Sequence, residues 1–325
     1  MNNTIKSTLI LTFTAMIWGF AFVAQRSSME FVGPFFFSGV RSILGSLTLI
    51  IFLTIQKRFS KNRDLNAGAL NESAGTGISK DSSASLSAFM NPYRKKLLRG
   101  GVYCGLILFA GTNFQQIGLV FTTASKAGFI TALYIVLVPI LGILLKHKTH
   151  WNTWVSVLIA AVGLYFLCLT ESFIIQPGDL VILIGAGFWA MHILVIDHFV
   201  AHVSAVKLSC IQFLVCGLLS LIISPFADAY LSPGAHISGA LQILPAILYT
   251  GVLSSGVGFT LQAVGQKYAN PTAASIIMST EAVFGVIGGF LLLHERLTQR
   301  ELLGCILMFT AVILAQLPVK RREAH

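Results

Sequence analysis

Charged side chains are scarce in this chain. Asp, Glu, Lys and Arg make up 10% of its 325 residues, where a soluble chain of similar length carries roughly 25%. That scarcity argues against a soluble fold. With 55% of the residues hydrophobic, too few polar side chains remain to cover a soluble core. Acids are scarcer than bases, 12 against 22. The five cysteines (Cys104, Cys168, Cys210, Cys216 and Cys305) all fall inside apolar runs, and no CxxC pair occurs. A disulfide framework and a zinc site are therefore not expected, and the thiols read as small buried filler. Apolar and polar residues do not alternate along the runs, which argues against a transmembrane β-barrel. HExxH, GxSxG and the phosphate-binding P-loop are all missing. The sequence therefore offers no sign of a membrane-embedded enzyme, of a cofactor or of ATP drive within this chain.

Long apolar runs fill the space that charge leaves. A membrane-spanning helix needs about 20 mostly apolar residues. Spans are expected near 6–25, 33–55, 97–119, 126–145, 151–169, 178–199, 206–224, 241–264, 271–293 and 299–318. The first run, about Ser7 to Gln25, is too long for a signal-peptide core and reads as a span. The 29 glycines fit close helix packing in lipid. Gly101 and Gly105 form a GxxxG spacing, read as close packing, with a homodimer left open.

The basic residues orient the chain. With a cytoplasmic N-terminus, one side holds Lys6, nine bases between Lys57 and Arg99, Lys146, Lys148, Lys207, Lys267 and Lys320 to Arg322, seventeen in all. The other side holds four: Arg26, Lys126, Arg296 and Arg300. Cytoplasmic loops carry the excess of Lys and Arg, so both termini are expected in the cytoplasm. This topology accounts for the net charge of +10 without nucleic acid as a partner. The link over 57–96 is rich in Ser, Gly, Asn and Ala between Asp64 and Asn91, and a flexible cytoplasmic loop is expected there.

Two stretches of the chain look alike. TASKAGFITALYIVLVPILGILL, a polar link and WVSVLIAAVGLYFL are answered by ANPTAASIIMSTEAVFGVIGGFLLLHERL and ELLGCILMFTAVILAQL. AMIWGFAFV around Trp18 likewise resembles GFWAMHILV around Trp189. Five spans per half is an odd number, so the second half must be inverted relative to the first. The expected fold is an all-α membrane protein of ten helices, a 5+5 inverted repeat with halves at 1–169 and 178–318 and a basic tail at 319–325. Inverted repeats recur in secondary transporters, because two such copies can exchange conformations and open a site to each side in turn.

These residues resemble the EamA family of the drug/metabolite transporter superfamily. The resemblance rests on IWGFAFV (17–23), PFFFSGVRSILG (34–45), FQQIGLVFTTASKAGFITALYIVLVPILG (114–142), NPTAASIIMSTEAVFGVIGGFLLLHERL (270–297) and GCILMFTAVIL (304–314). It implies ten helices, two EamA domains and movement of small metabolites or drugs, often outward. One departure stands out: the family usually shows Glu-Pro in its ninth helix, and here Glu281 is followed by Ala282.

Polar residues inside the runs are the candidate transport residues. Glu281 lies near the middle of the ninth span, where a carboxylate costs about 3 kcal/mol on insertion scales. It is a candidate to bind a proton or a cationic substrate group. Arg41, in the second span, cannot lose its charge and could hold an anion or pair with an acid. Gln115, Gln116 and Gln262, with Ser254 and Ser255, could line a central cavity, and hydrogen bonds between helices are the alternative. Trp18 and Trp189 could form aromatic walls. His192 could titrate near neutral pH. His198 and His202 have ligand-like spacing but no fourth ligand, so no metal is expected. The chain is thus expected to be a secondary transporter in the inner or plasma membrane, with lipid and a small-molecule substrate as partners. It would export by alternating access, with proton coupling through Glu281. The competing reading is a non-transporting membrane scaffold or receptor.

Overall fold

The computed structural model describes residues 3–71, 82–122, 124–145, 151–168, 176–233, 237–292 and 298–317. Among these residues there are helices and no strands. In order they are α1 (Asn3–Ser28), α2 (Pro34–Asn71), α3 (Ser82–Phe121), α4 (Ala124–Ala132), α5 (Tyr134–Leu144), α6 (Trp151–Cys168), α7 (Pro177–Val200) and α8 (Ala205–Leu231). A short 3-10 turn (Ile237–Leu241) leads into α9 (Leu244–Gln266), followed by α10 (Pro271–Met278), α11 (Glu281–Leu292) and α12 (Gln299–Gln316). Helices are what such runs must form in lipid, since every backbone N–H and C=O needs a partner within the segment.

Among the described residues, eight segments are long and apolar enough to cross a membrane. They are α1, Pro34–Phe59 of α2, Pro92–Phe121 of α3, Ala127–Leu144 across α4 and α5, α7, α8, α9, and Pro271–Gly288 across α10 and α11. α6 and α12 stand where the fifth and tenth spans are expected. α6 is a shorter apolar helix over Trp151–Phe166, and α12 opens on Gln299, Arg300 and Glu301. The two pack together, with Gly163 seated against Gly304, Leu307 and Met308.

The outer surface is as greasy as the interior. Ile51, Phe226 and Ile313 are more than half exposed, while Gln25, Gln115, Gln116, Gln212, Gln262 and Gln266 are buried. A lipid solvent explains both, since it welcomes apolar side chains and rejects amides.

The link expected to be a loop is helical over its described parts. α2 runs on to Asn71, and α3 begins at Ser82. Ala, Leu, Lys and Arg are strong helix formers, and they extend both helices beyond their apolar segments. Residues 72–81, in the middle of that link, lie outside the described residues. Gly101 and Gly105 face α8 of the same chain, where they meet Ile211, Val215 and the Gln212 carbonyl. The GxxxG spacing is thus used inside the chain.

Helix ends are capped as their residues dictate. Asn270 accepts a hydrogen bond from the Ala273 amide at 2.7 Å, with Pro271 opening α10. Thr298 and Glu301 form a reciprocal capping box on α12. The first turn of α2 is capped from another helix. Asp228 of α8 accepts from the Phe35 and Phe36 amides at 3.0 and 2.8 Å, and Ser224 Oγ donates to it at 2.9 Å. Replacing Asp228 with Ala orphans two amides and is expected to cost about 2 kcal/mol, as for a charge-assisted cap. A lowered melting temperature of the purified protein, partly restored in Asp228→Asn, is the check.

Candidate functional site

The helices converge on a partly enclosed cavity. α1 contributes Trp18, Phe22 and Gln25; α2 Arg41; α3 Gln115; α4 Thr131; and α5 Tyr134. α7 contributes Trp189 and Ile193; α9 Ser254, Phe259 and Gln262; and α11 Glu281. Seven of the ten candidates share one space: Glu281, Arg41, Gln115, Trp18, Trp189, Ser254 and Gln262.

Glu281 is 4% exposed and heads α11, just after the turn at Ser279 and Thr280 that interrupts the helix. A helix N-terminus favours negative charge there. The Tyr134 hydroxyl donates to its Oε1 at 3.1 Å across 147 residues of sequence. α4 and α5 are likewise interrupted, at Leu133, one residue before Tyr134. The carboxyl and its phenol partner thus both sit at helix breaks.

The two tryptophans lean on one ring. Trp18 lies 4.5 Å and Trp189 5.7 Å from Phe259, centroid to centroid. Each indole N–H is committed. Trp18 donates to the Ser254 carbonyl at 3.4 Å, and Trp189 donates to Gln115 Oε1 at 2.8 Å. The Gln115 amide in turn reaches Gln25 Oε1 at 3.4 Å. A chain of polar contacts therefore runs from α7 through α3 to α1. The Ser254 carbonyl belongs to a π-helical stretch, Tyr249–Gly258, where bonds close over five residues rather than four. The Phe259 amide reaches back to that same carbonyl. Such stretches are rare and gather at functional sites.

Arg41 is 5% exposed, and its guanidinium is 5.7 Å from the Phe37 ring. Among the described residues it has no carboxylate within salt-bridge distance, and its Nε has no hydrogen-bond partner. Among the described residues, Arg41 and Glu281 are the two charged residues of the cavity lining.

Two candidates lie behind the walls. Gln116 turns away from the cavity and donates to the Gln25 carbonyl at 3.4 Å and to Met29 Sδ at 3.1 Å. One residue on a helix is about 100° of rotation, enough to part it from Gln115. His192 is fully buried, with Nε2 3.0 Å from Gln212 Oε1. Its ring stands edge-on behind Trp189 and Phe259. The Lys126 side chain lies outside the described residues. His198 and His202 are exposed. Among the described residues no three His, Cys, Asp or Glu side chains gather as a metal site would need. Tyr134, Gln25 and Thr131 also line the cavity, although the sequence alone does not mark them as site residues. The available signal for Gln25 was an amide at the very end of an apolar run.

A multi-pass helical bundle with a largely apolar cavity that holds charged and amide groups inside a lipid-facing shell is the architecture of a membrane transporter. The comparisons agree with that class. The EamA-like transporter family model matches residues 6–169 and 176–317, and the chain belongs to that family, part of the drug/metabolite transporter superfamily. It is similar to a protein of Archaeoglobus fulgidus named as an uncharacterized transporter, 29% identical over 95% of this chain and 85% of the relative. It is also similar to the uncharacterized transporter YoaV of Bacillus subtilis, 21% identical over 98% of this chain and 99% of the relative. A solved protein structure shares the fold with a TM-score of 0.68 at 18% identity, covering 98% of this chain and 99% of its own. The chain is a multi-pass protein of the cell membrane and a transporter rather than an enzyme.

Proposed function

We propose that this chain is a ten-span secondary carrier built from two inverted five-helix halves, 1–169 and 178–318, with both termini in the cytoplasm. It exports a small metabolite or drug by alternating access, and Glu281 exchanges the coupling proton. The observation that carries this reading is the cavity, whose charged, amide and indole groups come from both halves: Trp18, Gln25, Arg41 and Gln115 from one, and Trp189, Gln262 and Glu281 from the other.

The packing supports two related halves. α2 lies on α8, and α6 on α12, so each of those pairs is its own counterpart under exchange of halves. α3 against α8 is answered by α9 against α2, and α1 against α11 by α7 against α4 and α5. Interrupted helices at a cavity between repeats are the usual site architecture of such carriers. The seventeen-to-four bias of basic residues supports the orientation.

The test is reconstitution into liposomes with an imposed pH difference and a broad panel of labelled metabolites and cationic drugs. Accumulation of a solute that follows the gradient is the expected result. No response from any solute would favour the scaffold reading.

A further inference from the structure

Arg41 poses a problem that the carrier reading alone does not resolve. A guanidinium keeps its charge in a protein, and a buried charge normally has a partner close at hand. Arg41 is 95% buried by exposure. Glu281, the other charged group of the same cavity, is not within 4 Å of it and already receives the Tyr134 hydroxyl. The guanidinium lies over the Phe37 ring, and no carboxylate of the described residues is within salt-bridge distance. Its Nε–H is buried and unbonded. Thr131 Oγ1, on the same lining, is also buried and unbonded. The cavity therefore presents a fixed positive charge and unfilled hydrogen-bond donors next to apolar and aromatic walls.

We infer that Arg41 is the anion seat of the cavity, and that the solute carried is a small organic molecule with a carboxylate that pairs with this guanidinium. This rests on the carrier reading and narrows it by substrate class. The planar fork of the guanidinium matches a carboxylate through two parallel hydrogen bonds. Indole and phenyl faces at Trp18, Trp189 and Phe259 suit an apolar body next to that group. Electrostatics points the same way. An amine entering without an acid would meet the unpaired positive charge of Arg41, and between largely apolar walls that repulsion is poorly screened. Glu281 stands on a separate element, α11, and stays available for a proton or for the amino group of a zwitterion.

The experiment measures binding on the full chain, purified in detergent, by intrinsic tryptophan fluorescence, since Trp18 and Trp189 wall the cavity. The probes are benzoate, pentanoate and phenylalanine, each set against its neutral amide, with inorganic phosphate as a separate arm. At least one carboxylate is expected to bind saturably while its amide does not. Arg41→Gln is expected to weaken that binding roughly ten-fold or more, as for loss of a charge-assisted pair. Arg41→Lys keeps the charge but loses the fork. It is expected to weaken the same ligands by a smaller factor, so the test survives if Arg41→Gln does not fold. The inference is overturned if amides bind as tightly as their acids, if phosphate alone binds, if no carboxylate binds, or if the Arg41 variants bind carboxylates like the wild type. Binding without any flux in the liposome assay would remove the carrier reading and keep the anion seat. Flux confined to amines or neutral solutes would do the reverse.

Discussion

Under the proposed proton-coupled mechanism, Glu281→Gln will collapse solute accumulation driven by an imposed pH difference by roughly ten-fold or more, because it removes the carboxyl proposed to exchange the proton. Folding and expression should survive. The side chain is 4% exposed and accepts one hydrogen bond, from Tyr134, and a glutamine carbonyl has the same shape and can accept that bond. What Gln cannot do is take up or release a proton. Downhill exchange of solute should therefore persist in the variant while its dependence on pH flattens. Wild-type rate and wild-type pH response in Glu281→Gln would remove Glu281 from the mechanism. Tyr134→Phe is a useful companion. It takes away the donor but leaves the carboxyl, so it should alter the pH at which transport changes without abolishing coupling.

Gly19→Ala will cost about 1 to 3 kcal/mol, the usual range for forcing atoms into a filled space. A Cβ at Gly19 would stand 2.5 Å from the Glu281 carbonyl oxygen, 2.6 Å from Phe284 Cβ and 2.7 Å from the Gly285 amide nitrogen. Two of these three are backbone atoms, which have no rotamer to escape into. α1 must then back away from α11, carrying Trp18 with it and disturbing the turn that presents Glu281. A fall of several degrees in melting temperature is expected for a loss of this size, together with loss of transport. Gly187→Ala is the control. Nothing lies within 4 Å of a Cβ there, and Ala is the better helix former, so stability should hold or rise slightly. Equal behaviour of the two variants would refute the close-contact argument.

The apolar runs made most of the helices legible, because a lipid-facing helix must be apolar all round and no other segment needs to be. Legibility fell where a helix carries polar ends. α2 and α3 continue into Ser- and Asn-containing sequence that composition alone assigns to a loop. At the site, Arg41, Glu281 and Gln262 could be read as polar residues inside apolar runs, and the cavity collects all three. Gln115 and Gln116 could not be told apart, since the rotation of α3 about its own axis decides which one faces inward. Tyr134 was invisible for a different reason. Its meaning lies in a bond to a residue 147 positions away, and a tyrosine in an apolar run fits equally well as packing. His192 shows the limit of spacing arguments. Three residues from Trp189, it does touch that ring, yet its nitrogen pairs with Gln212 behind the cavity wall.

The wide turn in α9 has a consequence for how both of that helix's polar groups reach the solute space. In an unbroken α-helix each residue advances about 100°, so Ser254 and Gln262, eight apart, would point roughly 80° away from each other. A π-helical turn holds more residues and advances less for each one, which swings the two back toward a common face. Both do line the cavity. The stretch from Tyr249 to Gly258 thus acts as a spacer, holding slack that sets the phase between the two ends of one helix. The polar wall contributed by α9 accordingly depends on the number of residues in that stretch as much as on their identity.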